Sequence, residues 1–218
     1  MGAEITASRV SAKQSPGQLC LDFDAAAIKA QQQAVEKRID ALPSELHIPK
    51  PFNGGELSTK PTLYKGTWYD SRTEAKYALA WDLLGIRYKT EEEKFVDYEG
   101  RGFIPDFFLP DFGLWVEVAS SDPGSQARKK PRCQALADTT GQPVLLTQGF
   151  PGHEAAYPLL DGFGFHLPHP HRLNPETVAA HFPNLLRLKA LDQEMAQRCF
   201  ATARKASFES AGVSWAAG

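Results

Sequence analysis

Phe103-Ile104-Pro105-Asp106-Phe107-Phe108-Leu109, then Pro110-Asp111-Phe112-Gly113, then Leu114-Trp115-Val116-Glu117-Val118-Ala119-Ser120: residues 103–120 decide how this chain is read. Two runs rich in aromatic and branched apolar residues flank a Pro-Asp-Phe-Gly turn, the pattern of paired strands over 103–109 and 114–120. A turn centred between Asp111 and Phe112 places Asp106 opposite Glu117 on one face, with Cβ atoms roughly 4.5–5.5 Å apart. Like charges directly opposite destabilise a sheet. They are tolerated when one is protonated or a cation lies between them. Both also sit in apolar strands, where an unpaired charge is costly. The pair therefore points to a divalent metal. Two plainer readings stand beside it: Asp106 as a turn residue after Pro105, and Glu117 as a surface carboxylate on a sheet edge. A register slip of one residue would send the two groups to opposite faces.

Upstream, residues 71–84 read as a helix closed by Gly85. Ser71-x-x-Glu74 matches a capping box, in which Glu74 serves the Ser71 backbone. Glu74 also aligns with Tyr77, Ala78 and Trp81 on the apolar face, so it is equally a third candidate carboxylate. Short strands are expected over 86–89 and 95–98. Downstream, Asp122-Pro123-Gly124 leads into a helix over 125–138 that Gly141 ends, and 143–147 reads as a buried strand. Helices and strands so ordered give a mixed α/β domain over 62–150.

Its flanks differ in character. Residues 1–24 read as an arm with an apolar spot at Leu21 and Phe23. Helical spacing of Ile28, Val35, Ile39 and Leu42 follows over 25–41, then a linker punctuated by Pro43, Pro49, Pro51 and Pro61. Residues 150–175 are rich in Pro, Gly and His and read as irregular; 175–210 return to helical periodicity broken by Pro183. The chain thus divides into 1–61, 62–150 and 151–218, a mixed-sheet core with helical N- and C-terminal extensions.

With 42% hydrophobic and 23% charged residues among 218, the composition is that of an ordinary globular protein. Three cysteines, Cys20, Cys133 and Cys199, form no CxxC pair, which argues against a zinc knuckle or a disulfide scaffold. No apolar run is long enough for a membrane span, and no basic-then-apolar leader is seen, so the cytoplasm is the expected location. A net charge of -2 means that any phosphate contact must come from a local patch. Arg128, Lys129, Lys130 and Arg132 could supply one, although a solvated helix face is the usual reading of such a cluster. Lys65 and Arg72, set among Tyr64, Trp68 and Tyr69, could supply another, although such aromatics are more often half-buried packing. His166, His169 and His171 lie in a proline-studded stretch; a zinc site there lacks a nearby acidic partner.

Ser71-Arg72-Thr73-Glu74-Ala75, Ile104-Pro105-Asp106-Phe107 and Trp115-Val116-Glu117-Val118, in that order, resemble the PD-(D/E)XK nuclease superfamily, especially small nucleases of phages and bacterial mobile elements. The resemblance extends over residues 66–150, with Pro143-Val144-Leu145-Leu146 as the strand after the crossover helix. Ala203-Arg204 with Phe208-Glu209 is similar to the C-terminal helix of some phage members. It implies a restriction-endonuclease-like fold and a Mg²⁺- or Mn²⁺-dependent DNA endonuclease. Asp106, Glu117 and the Val118 carbonyl would hold the ion, and Glu74 would complete the site directly or through water. DNA is the implied partner, with a homodimer as a further expectation.

One position departs from the pattern. Where Glu-X-Lys is expected, Ala119 stands in place of the catalytic lysine. Three explanations remain open: an exchange that traps an inactive form, migration of the role to Lys129 or Lys130, or a non-catalytic relative of the same fold that binds DNA or a protein.

Overall fold

The computed structural model describes residues 25–41, 61–90, 93–151, 164–171, 174–189, 191, 193–206 and 208. Leu21, Phe23, Leu42, Cys20, Glu209 and most of the proline-rich linker lie outside them.

Helix α1 spans Ala25–Asp40. A small hairpin follows, β1 (Thr62–Tyr64) antiparallel to β2 (Thr67–Tyr69), turned by Lys65 and Gly66 with positive φ. Helix α2 spans Arg72–Leu84. Its start and stop are those expected: Ser71 accepts from the Glu74 N–H, and Gly85 takes the left-handed conformation at φ 71°. The strand expected over 86–89 reduces to one bridge, Lys89 to Phe108.

A second hairpin pairs β3 (Phe95–Val96) with β4 (Gly102–Phe103). The long strand expected over 103–109 is broken here. Ile104, Pro105 and Asp106 fall outside the ladder, and pairing resumes in β5 (Phe107–Leu109). Pro105 has no N–H to donate, which confines it to strand ends and breaks. Strand β6 (Leu114–Glu117) is antiparallel to β5 in the expected register, with Phe107 opposite Val116 and Leu109 opposite Leu114. After helix α3 (Pro123–Thr140), strand β7 (Val144–Leu146) joins β6 in parallel. Strand β8 (Gly164–His166), within the stretch expected to be irregular, closes the sheet antiparallel to β7. The order is β5-β6-β7-β8.

Alternation along β5 and β6 sorts side chains between two apolar layers. Phe107, Leu109, Leu114, Val116 and Val118 face a core with α2 and with α6 (Gln193–Lys205). Trp115, Ala119, Val144 and Leu146 face Cys133, Leu136 and Ala137 of α3. The first layer is dominated by aromatics: Trp81, Tyr77, Phe150 and Phe200 meet with ring centroids 5.0–6.0 Å apart. Helix α6, expected as an extension, is thus part of the central core. Helix α1 reaches it through Val35 and through Arg38, whose Nη1 donates to the Leu83 carbonyl. Two short helices, α4 (Pro175–His181) and α5 (Pro183–Lys189), are separated at Pro183 as expected. The chain is a mixed α/β protein. Among the described residues no helix is long and apolar enough to cross a membrane.

Candidate functional site

The break at Pro105 shapes the site. In an antiparallel ladder the N–H and C=O of one residue point to the same neighbour. Those of Val118 point toward the end of β5, where the ladder has stopped, and buried backbone groups need partners. Side chains supply both. The Val118 N–H donates to Asp106 Oδ2 at 2.5 Å, and its carbonyl accepts from Lys129 Nζ at 2.7 Å.

Lys129 lies on α3 one turn before Cys133, so its side chain lies along the sheet face that carries Glu117 and Ala119. Its ammonium is 2.6 Å from Glu117 Oε1 and 3.8 Å from Asp106 Oδ2. Burial alone would lower the Lys129 pKa, but the Asp106 and Glu117 charges outweigh it and hold the ammonium above its ordinary value. Asp106 shows the opposite balance. Burial, then the neighbouring Glu117 charge, pushes its carboxyl well above the usual range despite Lys129. Glu117 is 5% exposed, and its Oε2 is buried with no hydrogen-bond partner.

Asp106 and Glu117 therefore come together around one cation, just past the last pair of the ladder, Phe107 opposite Val116. The countercharge between them is a lysine of this chain. Glu74 keeps to the capping box: Oε1 accepts from the Ser71 hydroxyl at 2.6 Å and Oε2 from the Asp70 N–H at 2.9 Å. Burial raises its pKa, and it feels Lys129 electrostatically. Among the described residues no three His, Cys, Asp or Glu side chains are grouped closely enough to hold a metal ion, so a three-carboxylate centre is not formed.

Two carboxylates and one carbonyl nonetheless suit Mg²⁺ or Mn²⁺ in kind. All are hard oxygen donors, one is an orphaned buried acceptor, and such ions commonly retain several waters beside one or two carboxylates.

Ala119, where the resemblance expects a lysine, is enclosed by its neighbours. It is 1% exposed, wedged in the layer with Cys133 and Ala137, and tied at both backbone groups: its N–H donates to Thr147 Oγ1 and its carbonyl accepts from Gly149. Helix α3 covers the space that a lysine stem would need.

The expected phosphate-contacting residues do not act as a set. Lys129 is turned inward. Arg132 Nε is buried without a hydrogen bond, 3.8 Å from the Asp97 carboxylate, with its guanidinium 6.0 Å from the Phe103 ring. Lys65 pairs with Asp82 at 2.8 Å. Arg128 and Lys130 are exposed on the α3 turn that carries Lys129, and Arg72 is exposed at the start of α2. Nearby, Trp68 is 50% exposed.

The three histidines part company. His166 is in β8, His169 bonds Asp138, and the His171 ring lies 4.3 Å from that of His181. Asp138 and Asp97, not singled out by sequence pattern, anchor the far end of α3 and the β3–β4 turn. Asp97 accepts from the N–H groups of Glu99 and Arg101 and from Arg101 Nε. An Asp two residues before Glu-Gly was the available signal for such a turn.

Compared with family models, curated proteins and solved structures, the chain has no match in any of the three.

Proposed function

We propose that this chain is a divalent-metal-dependent DNA endonuclease of the PD-(D/E)XK type, with Lys129 in the role usually taken by the lysine of the Glu-X-Lys motif. The observation that carries this reading is the convergence of Asp106, Glu117, the Val118 carbonyl and the Lys129 ammonium at the break in β5. Such a cluster is costly as mere structure, because it leaves one buried acceptor oxygen unsatisfied. A mixed sheet with helices on both faces is compatible with a restriction-endonuclease-like core.

Asp106 and Glu117 would hold Mg²⁺ or Mn²⁺, with the Val118 carbonyl beside them. The bound ion would lower the pKa of a water and stabilise charge on the attacked phosphate. The chain's own groups have separate tasks. Lys129 balances negative charge developing on phosphorus, a task for a cation held in a partly dry site. Asp106, fixed by the Val118 N–H, keeps its carboxylate aimed along the strand. Glu74 stiffens the entry to α2 and adds negative potential. Arg128 and Lys130 are exposed cations suited to backbone phosphates, and Arg72 and Lys65, exposed as well, are weaker candidates because each already has a partner.

Nicking of supercoiled plasmid with Mn²⁺ tests the reading. Wild-type chain should cut, and Glu117→Gln and Asp106→Asn should each lose on the order of 10³-fold or more in rate, as expected when charge stabilisation at the reacting phosphate is removed. Cutting that persists in either variant, or in EDTA, would sink it. The alternative is a catalytically inactive module of this fold that binds DNA or a protein. It is favoured by one observation, the closure of Lys129 onto the carboxylates, and predicts DNA retention without cutting.

A further inference from the structure

We propose that Lys129 is a built-in competitor of the divalent ion: its ammonium occupies the place the ion must take, so metal entry requires its release. The inference rests on the metal-site reading above and goes beyond it, because it assigns the lysine a role before any chemistry.

The geometry supplies the reason. Lys129 Nζ stands at contact distance from Glu117 Oε1 and the Val118 carbonyl, 2.6 and 2.7 Å, with Asp106 Oδ2 at 3.8 Å. These are the same three residues whose oxygens would ligate the ion. A magnesium ion bound to those oxygens would sit about 2.0–2.1 Å from each. Two cations cannot share that space without strong repulsion. An ammonium also satisfies the site incompletely. Glu117 Oε2 stays buried without a partner, whereas a doubly charged ion offers more coordination positions.

The element that carries Lys129 is suited to let go. Pro131 stands inside α3 two residues later and cannot donate to the Ala127 carbonyl, so the first turns are tied more weakly to the rest of the helix. Those turns face solvent at Pro123, Gly124, Ala127, Arg128 and Lys130, whereas Cys133, Leu136 and Ala137 beyond the proline are locked into the core. Release therefore needs only the stem of Lys129 and a loosely held turn to move.

Mn²⁺ binding to the full chain, followed by titration calorimetry, tests this without reference to cutting. Lys129→Met should bind Mn²⁺ at least ten-fold more tightly than wild type. Lys205→Met, at the exposed end of α6, removes the same charge far along the sequence and should change affinity less than two-fold. Equal or weaker binding by Lys129→Met than by wild type overturns the proposal while leaving the metal site intact. No binding by either chain overturns both. Should Lys129→Met lack a cooperative melt, acetic anhydride labelling of the wild-type chain, read by mass spectrometry, decides instead. Mn²⁺ should raise acetylation of Lys129 at least three-fold, and an unchanged level overturns the proposal.

Discussion

Helix α3 ends in an aspartate cluster and begins beside another, and the two are opposites. At its last turns Asp138 is surrounded by donors: the Tyr98 hydroxyl, the His169 N–H at 2.7 Å, His169 Nδ1 at 2.8 Å and Gln134 Nε2 at 3.2 Å. Burial works against the charge, but these bonds bring the carboxyl down to about 2. At the other end Asp106 has a single backbone donor and a carboxylate neighbour, and its pKa rises. Residue type is the same; the supply of donors differs. A saturated carboxylate fastens the β3–β4 turn, α3 and the segment after β8. An undersupplied one is costly to ionise unless a cation stands beside it, and shifts of that kind occur in functional sites as well as in structural ion-pair networks.

Breaking the undersupplied end should have the larger effect. Lys129→Met leaves two carboxylates without their countercharge and should lower stability in EDTA by about 2 kcal/mol in urea melts. Fully buried pairs cost ~3–5 kcal/mol when one partner is removed, and the Lys129 side chain is 26% exposed. No loss in EDTA would mean that the two ends are alike after all. Ala119→Lys, which would write a Glu-X-Lys sequence at the end of β6, should also destabilise, by about 1–3 kcal/mol, because it forces a long stem between β6 and α3. A stable Ala119→Lys chain that cuts faster than wild type would show that the strand position is open and that Lys129 is not the migrated group.

The saturated end should respond less and with a definite pH sign. Asp138→Asn should cost about 1–2 kcal/mol at pH 7, the scale of lost charge-assisted hydrogen bonds. Because the folded-state value lies below the unfolded one, the Asp138 contribution is complete above about pH 4 and disappears as pH falls toward 2. Asp106 has the reverse sign: its raised folded-state value makes ionisation costly, so its effect on stability worsens as pH rises above the ordinary Asp value of about 4. Asp106→Asn should therefore flatten the high-pH side of a stability profile and Asp138→Asn the acid side. Equal effects on both sides would erase the distinction.

Much of this was legible locally. Ser71, Gly85 and Gly141 mark helix ends through their own backbone chemistry, and the turn at Pro110 to Gly113 fixes the β5–β6 register, whose far end lies next to Asp106 and Glu117. The interruption at Pro105 was less legible, because aromatic runs on both sides mimic one long strand. The status of Glu74 hung on a choice between two partners, and the capping partners took both of its oxygens.

The amino-acid order by itself determined a mixed α/β chain, its helix caps and the opposed carboxylates, since each depends on residues within one hairpin or one helix turn. Only the tertiary structure decided which cation answers them. Lys129 is distant in sequence from Asp106 and is one of several basic residues in a row; it alone is aimed at the site because Cys133 and Ala137 dock that face of α3 onto Ala119. Charge identity is written locally, but charge placement follows from which apolar faces bury each other.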